Sequence, residues 1–234
     1  MKKDTSSKRT KLADRELPDY THGEEIFNMV THIVGGALGI IALVLCVVFS
    51  FIHKDAYAVV SSFIYGFSLI ILYSMSSIYH GLKPALDIPK KVLQILDHCS
   101  IFIMISGTYT PILLCSMRKE NPALAWTVFG IVWGVSVLGI ILNSIDLKRY
   151  KIFSNICYIA LGWCIVCTLK PLIAAIGLSG FWFLLAGGIA YSLGAVLYII
   201  AGGGKTHRYM HSIFHIFVVL ASILHFICIF FFVI

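Results

Sequence analysis

The residues of this chain best suited to chemistry fall into four short sets. Glu25, Asn28 and His32 are spaced three and four apart, Ser76 and His80 four apart, and His211 and His215 four apart; Asp97, next to His98, completes the group. Two residues four apart on a helix differ by about 40° of rotation and about 6 Å of rise, so the imidazoles of His211 and His215 can reach one point. Three histidines, two from one helix and one from another, with a carboxylate nearby, suit Zn²⁺, because catalytic zinc takes three protein ligands and keeps one position open. On this reading His80, His211 and His215 supply the nitrogens. Asp97 accepts a proton or orients a ligand, and Ser76 hydrogen-bonds water or a substrate carbonyl. Glu25 and Asn28 read as a hydrogen-bonded cluster bracing their helix, with His32 standing behind the ligands.

The other candidates weaken on spacing. His225 lies ten residues beyond His215, about 15 Å further along a helix, out of reach of the same point. His22, His53 and His207 fall in polar segments, and His98 points about 100° away from Asp97. Gly202-Gly203-Gly204-Lys205-Thr206 ends like a phosphate-binding loop, but Ile199 occupies the position of the earlier glycine, so it reads as a loop. Gly35-x-x-x-Gly39 is a close-packing signal. The seven cysteines all fall in or beside apolar segments and read as small apolar fillers, with no disulfide framework implied.

These sets must be held by something, and composition says what. Of the 234 residues, 59% are hydrophobic and only 12% charged, about half the charged share of a soluble domain. Windows free of Asp, Glu, Lys and Arg run over about 28–49, 57–79, 98–117, 122–143, 152–169, 175–200 and 211–234. A helix needs about 20 apolar residues to cross a bilayer, and these windows are too long for membrane β-strands. The expected architecture is an all-α integral membrane protein, a seven-transmembrane helix bundle over residues 26–234. Residues 1–25, with six basic and six acidic side chains and no apolar run, read as a disordered cytoplasmic tail.

Lys and Arg set the orientation. The tail and the segments after the second, fourth and sixth windows hold 14 of them, and the opposite loops hold Lys54, Arg118, Lys119 and Lys170. The amino terminus is therefore expected in the cytoplasm and the carboxyl terminus outside. With that orientation, Glu25, Asn28, His32, Ser76, His80, Asp97, His211 and His215 all fall at the cytoplasmic level. Ionisable groups in a bilayer are costly and are functional candidates by default.

At these residues the chain resembles the progestin and adipoQ receptor superfamily, and within it the bacterial haemolysin III branch. The resemblance rests on Glu25-x-x-Asn28-x-x-x-His32, Ser76-x-x-x-His80, Asp97, Gly107-Thr108-Tyr109-Thr110-Pro111 and His211-x-x-x-His215, and covers nearly everything after the tail. It implies seven helices with an inside amino terminus, zinc on His80, His211 and His215 with Asp97 close by, and a place in a bacterial cytoplasmic membrane. Receptor members of the superfamily resemble membrane ceramidases, which implies hydrolysis of lipid amides by a zinc-activated water.

Three functions follow as expectations. The first is a zinc-dependent hydrolase of a membrane lipid amide. The second is a pore-forming, lytic or ion-translocating protein; polar groups gathered at one end argue against a wide pore but permit a small-ion or proton route using His225 and Asn155. The third is a receptor-like regulator of membrane state with structural zinc. A membrane lipid is the expected partner, and nothing points to nucleic acid.

Overall fold

The computed structural model describes residues 9–53, 55–201 and 207–234. Lys2, Lys3, Lys8, Lys54 and Lys205, which entered the orientation count, and the Gly202–Thr206 run lie outside the described residues. The described chain is helical, with no strand among the described residues. Its elements are α1 (His22–Ile52), α2 (Ala56–Gly81), α3 (Asp87–Pro111), α4 (Arg118–Glu120), α5 (Pro122–Trp163), α6 (Leu169–Ala201) and α7 (Met210–Phe232). Five helical stretches are long and apolar enough to cross a membrane.

Helix starts follow local chemistry. At α1 the Thr21 N–H donates to Glu24 Oε2 at 2.8 Å, and the Glu24 N–H donates to Thr21 Oγ1 at 3.2 Å. This is a capping box, which satisfies two orphan donors reciprocally. Asp55 caps α2 by accepting from the N–H groups of Tyr57 and Ala58. Pro111 removes one helical donor near the end of α3, and the following Ile112–Met117 turn winds in the wider π register.

The longest helical stretch, Pro122–Ile200, is not one rod. At Asp146 the backbone leaves helical geometry, with φ −158° and ψ 92°. The Asp146 carboxylate then accepts the Arg149 N–H at 3.1 Å and starts the next segment. In an unbroken helix Asn143 and Ser154 would stand about 16 Å apart. Instead the Ser154 hydroxyl donates to Asn143 Oδ1 at 2.6 Å, so the chain folds back. A second reversal follows through the 3₁₀ turn Cys164–Thr168 and Gly177. There φ is +69°, a conformation glycine adopts without a Cβ clash. Trp163 Nε1 donates to Ser192 Oγ at 2.9 Å across that reversal.

In space α1 lies between α2 and α7, α2 packs on α3, α3 on α5, and α6 on α7. The α3 segment is the most enclosed, with Phe102, Ser106, Gly107, Thr110 and Leu113 all buried. Close approach is built on small residues. A Cβ on Gly35 would collide with the Tyr73 ring, and one on Gly39 would meet Leu69 Cβ at 3.2 Å, so both glycines seat α1 on α2. The outward faces are apolar, with Ile33, Ile40, Val44, Val48, Ile156 and Val196 each at least half exposed. Apolar side chains on the outside and Ser, Asn and His on the inside make this an integral, multi-pass membrane protein. All seven cysteines are free, and Cys46 and Cys228 sit fully buried in the core.

One segment departs from expectation. Residues 9–21, which composition leaves without structure, lie along the end of the bundle where α2 finishes and α7 begins. Leu12–Asp14 form a 3₁₀ turn, and Arg15 is buried with Nη2 donating to Gln94 Oε1 at 2.7 Å. Lys91 Nζ donates to the Ala13 carbonyl, and the Thr10 N–H donates to Asp146 Oδ2 at 2.7 Å. These polar pairs with α3 and α5 hold the segment in place.

Candidate metal centre

His80, His211 and His215 are brought together. Each offers one ring nitrogen, and the three atoms lie within 4.8 Å of one another. All three side chains are buried. His80 comes from the last turn of α2 and the other two from the first two turns of α7. The Nε2 atoms of His211 and His215 are 3.0 Å apart, and His80 Nε2, His211 Nδ1 and His215 Nδ1 are buried without a hydrogen-bond partner. Around tetrahedral zinc, with bonds of about 2.0–2.1 Å, ligand nitrogens stand about 3.3 Å apart. The donor set is all imidazole, and its orphaned nitrogens are an unpaid desolvation cost unless something binds them. The cluster therefore fits a metal ion.

The remaining sequence-read residues surround it at different ranges. His32 is buried and stacks on His215, with ring centroids 3.8 Å apart, and meets the Tyr73 ring edge-on at 5.1 Å. Both of its ring nitrogens lack partners. Glu25 accepts from His80 Nδ1 at 2.5 Å and from Lys90 Nζ at 2.6 Å. Asn28 is fully buried, with its amide nitrogen 3.5 Å from the same His80 nitrogen. Asp97 is not one of the converging donors. It lines a cavity of about 200 Å³ together with Ser76, His32, His211 and His215, and the Ser76 hydroxyl faces its carboxylate.

That cavity runs from the histidines into the bundle past Met104, Tyr109, Trp163 and Leu184, and its walls are mostly apolar. His98, which spacing sets aside, lines it as well. Its Nδ1 bonds the Gln94 carbonyl at 2.8 Å and lies 3.8 Å from Asp97 Oδ2. His225 lies on the same cavity away from the cluster, bonded through Nε2 to the Leu184 carbonyl at 3.1 Å.

Two residues at this end escaped sequence reasoning. The Tyr20 ring stacks on His211 at 4.9 Å and 14°, and lies 5.8 Å from His80. Burial, with nearby tyrosines and carboxylates, pushes its phenol well above the usual range, so it stays protonated. Glu24 is 1% exposed. Besides capping α1, it accepts the Tyr209 N–H at 2.7 Å and pairs with Arg208 at 3.3 Å. It thus ties the start of α1 to the start of α7, setting His32 against His215. A signal was present for Glu24 in the Thr21-x-x-Glu24 capping spacing. For Tyr20 there was only a lone aromatic in a polar stretch.

A multi-pass helical membrane protein with three buried histidines at one end of an apolar cavity is the class this geometry defines. Residues 20–226 match the family model described as Haemolysin-III related, and the chain belongs to that family. It is 38% identical to "Hemolysin-3" of Bacillus cereus over 90% of this chain and 92% of that protein. It is 36% identical to "Hemolysin-3 homolog" of Bacillus subtilis (strain 168), over 91% and 96%. It is also similar to the human "Monocyte to macrophage differentiation factor", at 26% identity over 88% of this chain and 79% of that protein.

Proposed function

We propose that this chain is a zinc-dependent hydrolase of lipid amide bonds, with its site at the cytoplasmic face of a seven-span bundle. The observation that carries this reading is the junction of two features: three buried imidazoles each with an unpartnered nitrogen, and an apolar cavity lined by two of them, His211 and His215, together with Asp97 and Ser76. An acyl chain fits the apolar walls while the bond to be cut lies at the polar end. His80, His211 and His215 hold the metal. Zinc bound there supplies a Lewis acid for an acyl carbonyl and makes water a nucleophile near neutral pH. Asp97 takes the proton of the attacking water and returns it to the leaving amine. Ser76 orients the carbonyl or the carboxylate beside it.

Seven crossings are supported by the two reversals inside Pro122–Ile200, a stretch that as one helix would run about 118 Å, several times a bilayer core. The Lys and Arg count supports a cytoplasmic amino end of the membrane domain over residues 26–234, and the Bacillus relatives support a bacterial cytoplasmic membrane.

The test is zinc quantification on purified wild type and His211→Ala, with a screen of lipid amides for released fatty acid. One zinc per chain, lost in the variant, together with zinc-dependent release is the expected result. Stoichiometric zinc without release from any amide removes the enzyme reading and leaves zinc as a structural element of a membrane regulator. A second reading, membrane lysis or ion passage, is favoured by the relatives' names. Liposome leakage that survives His80→Ala would establish it.

A further inference from the structure

Glu25 receives two donors from two other elements. His80 Nδ1 reaches its Oε2 at 2.5 Å, and Lys90 Nζ reaches its Oε1 at 2.6 Å. Lys90 is only 3% exposed, which a lysine tolerates when it is paired. It also donates to the Leu82 carbonyl at 2.9 Å, just past the end of α2. The carboxylate is thereby held from behind by a cation fixed to the helix that carries His80.

A carboxylate only accepts hydrogen bonds, so the His80 Nδ1 facing it must carry a hydrogen. The Asn28 amide, at 3.5 Å, is too distant to compete for that position. In a neutral imidazole a hydrogen on Nδ1 leaves Nε2 as a bare lone pair. Nε2 is the atom that is buried without a partner. With the opposite tautomer, the ring would present an N–H there and offer no lone pair to a metal. Residues that act this way on a metal-binding histidine are worth about 10–100-fold in metal affinity.

We propose that Glu25, held by Lys90, is a positioning residue that keeps His80 in its Nδ1–H tautomer with the Nε2 lone pair free for a metal. The consequence for affinity rests on the zinc reading above; the tautomer does not. Bracing of α1 alone would predict that Glu25 alters stability and leaves the His80 tautomer untouched.

The experiment uses the full chain in nanodiscs with ¹⁵N-labelled histidine. Glu25→Met with Lys90→Met removes both charges together, and Glu25→Gln keeps the shape. Long-range ¹⁵N–¹H spectra of the zinc-free chain should show His80 hydrogenated on Nδ1 in wild type and as mixed tautomers in the double variant. Competition titration with zinc should show affinity falling about 10–100-fold in the double variant and in the same direction in Glu25→Gln. The visible spectrum of bound Co²⁺ should shift with it. A double variant that keeps pure Nδ1–H His80 and wild-type zinc affinity overturns the proposal, as does a loss of stability with both unchanged. A wild type that takes up no zinc, while its His80 tautomer still follows Glu25, overturns the zinc reading and upholds the positioning.

Discussion

The two ends of this bundle treat buried polar groups in opposite ways. Away from the histidines, most buried hydroxyls satisfy themselves locally, with Ser61 Oγ and Tyr65 OH as exceptions. Thr108 donates to the Met104 carbonyl, Thr110 to Ser106, Ser50 to Cys46, and the Ser106 hydroxyl finds Ser136 at 2.7 Å. At the other end, one ring nitrogen each of His80, His211 and His215 and both of His32 are buried without a partner. Helix-forming sequences readily supply Ser and Thr that bond their own backbone. His98 finds the same outlet at the Gln94 carbonyl, but the ring nitrogens of the cluster do not, so the cluster is costly to fold unless something binds it. The unmet bonding capacity is concentrated at the histidine end.

The largest effect that could break this contrast is loss of a ring donor. His215→Ala should lower zinc affinity more than tenfold, read by competition titration, whereas Ser106→Ala should leave zinc content unchanged. Next, chelation should lower the thermal midpoint of wild type by on the order of 10 °C if zinc is in about thousandfold excess over its dissociation constant. His80→Ala should show no response to chelator. At the packed end, Gly107→Val drives a side chain into Ser68. It should cost about 1–3 kcal/mol in unfolding titrations while the folded fraction keeps its zinc. Glu24→Gln weakens the tie between α1 and α7 and should cost about 1–2 kcal/mol, with a smaller loss of zinc affinity. The smallest effect belongs to Tyr20→Ala, which uncovers His211. It should speed zinc exchange severalfold without changing stoichiometry, measured by stopped-flow with a chromogenic chelator.

Much of this was legible because the bilayer punishes stray polarity. The histidines of α2 and α7 stood out as exceptions in apolar windows, and helical spacing alone aligned His211 with His215. The reversals were visible as charged or Lys-Pro interruptions at Lys148–Lys151 and Lys170-Pro171. What could not be read was pairing across long separations. Tyr20 on His211 and Glu24 on Tyr209 join residues nearly 190 positions apart, and nothing local marks either contact. Arg15 looked like one more solvated charge, and only the Gln94 amide waiting on α3 buries it. His98 was set aside on helical angle, but the cavity reaches around α3 far enough to include it.

The order of the ligands along the chain has a consequence for biosynthesis. His80 leaves the ribosome early, whereas His211 and His215 ride on α7, after every other helix has been made. The clasp from Glu24 likewise waits for Arg208 and Tyr209. A nascent chain that has inserted only α1 to α6 holds a single one of the three imidazoles and cannot retain a metal through them. Metal capture at the proposed site would therefore report that insertion of the bundle has run to α7.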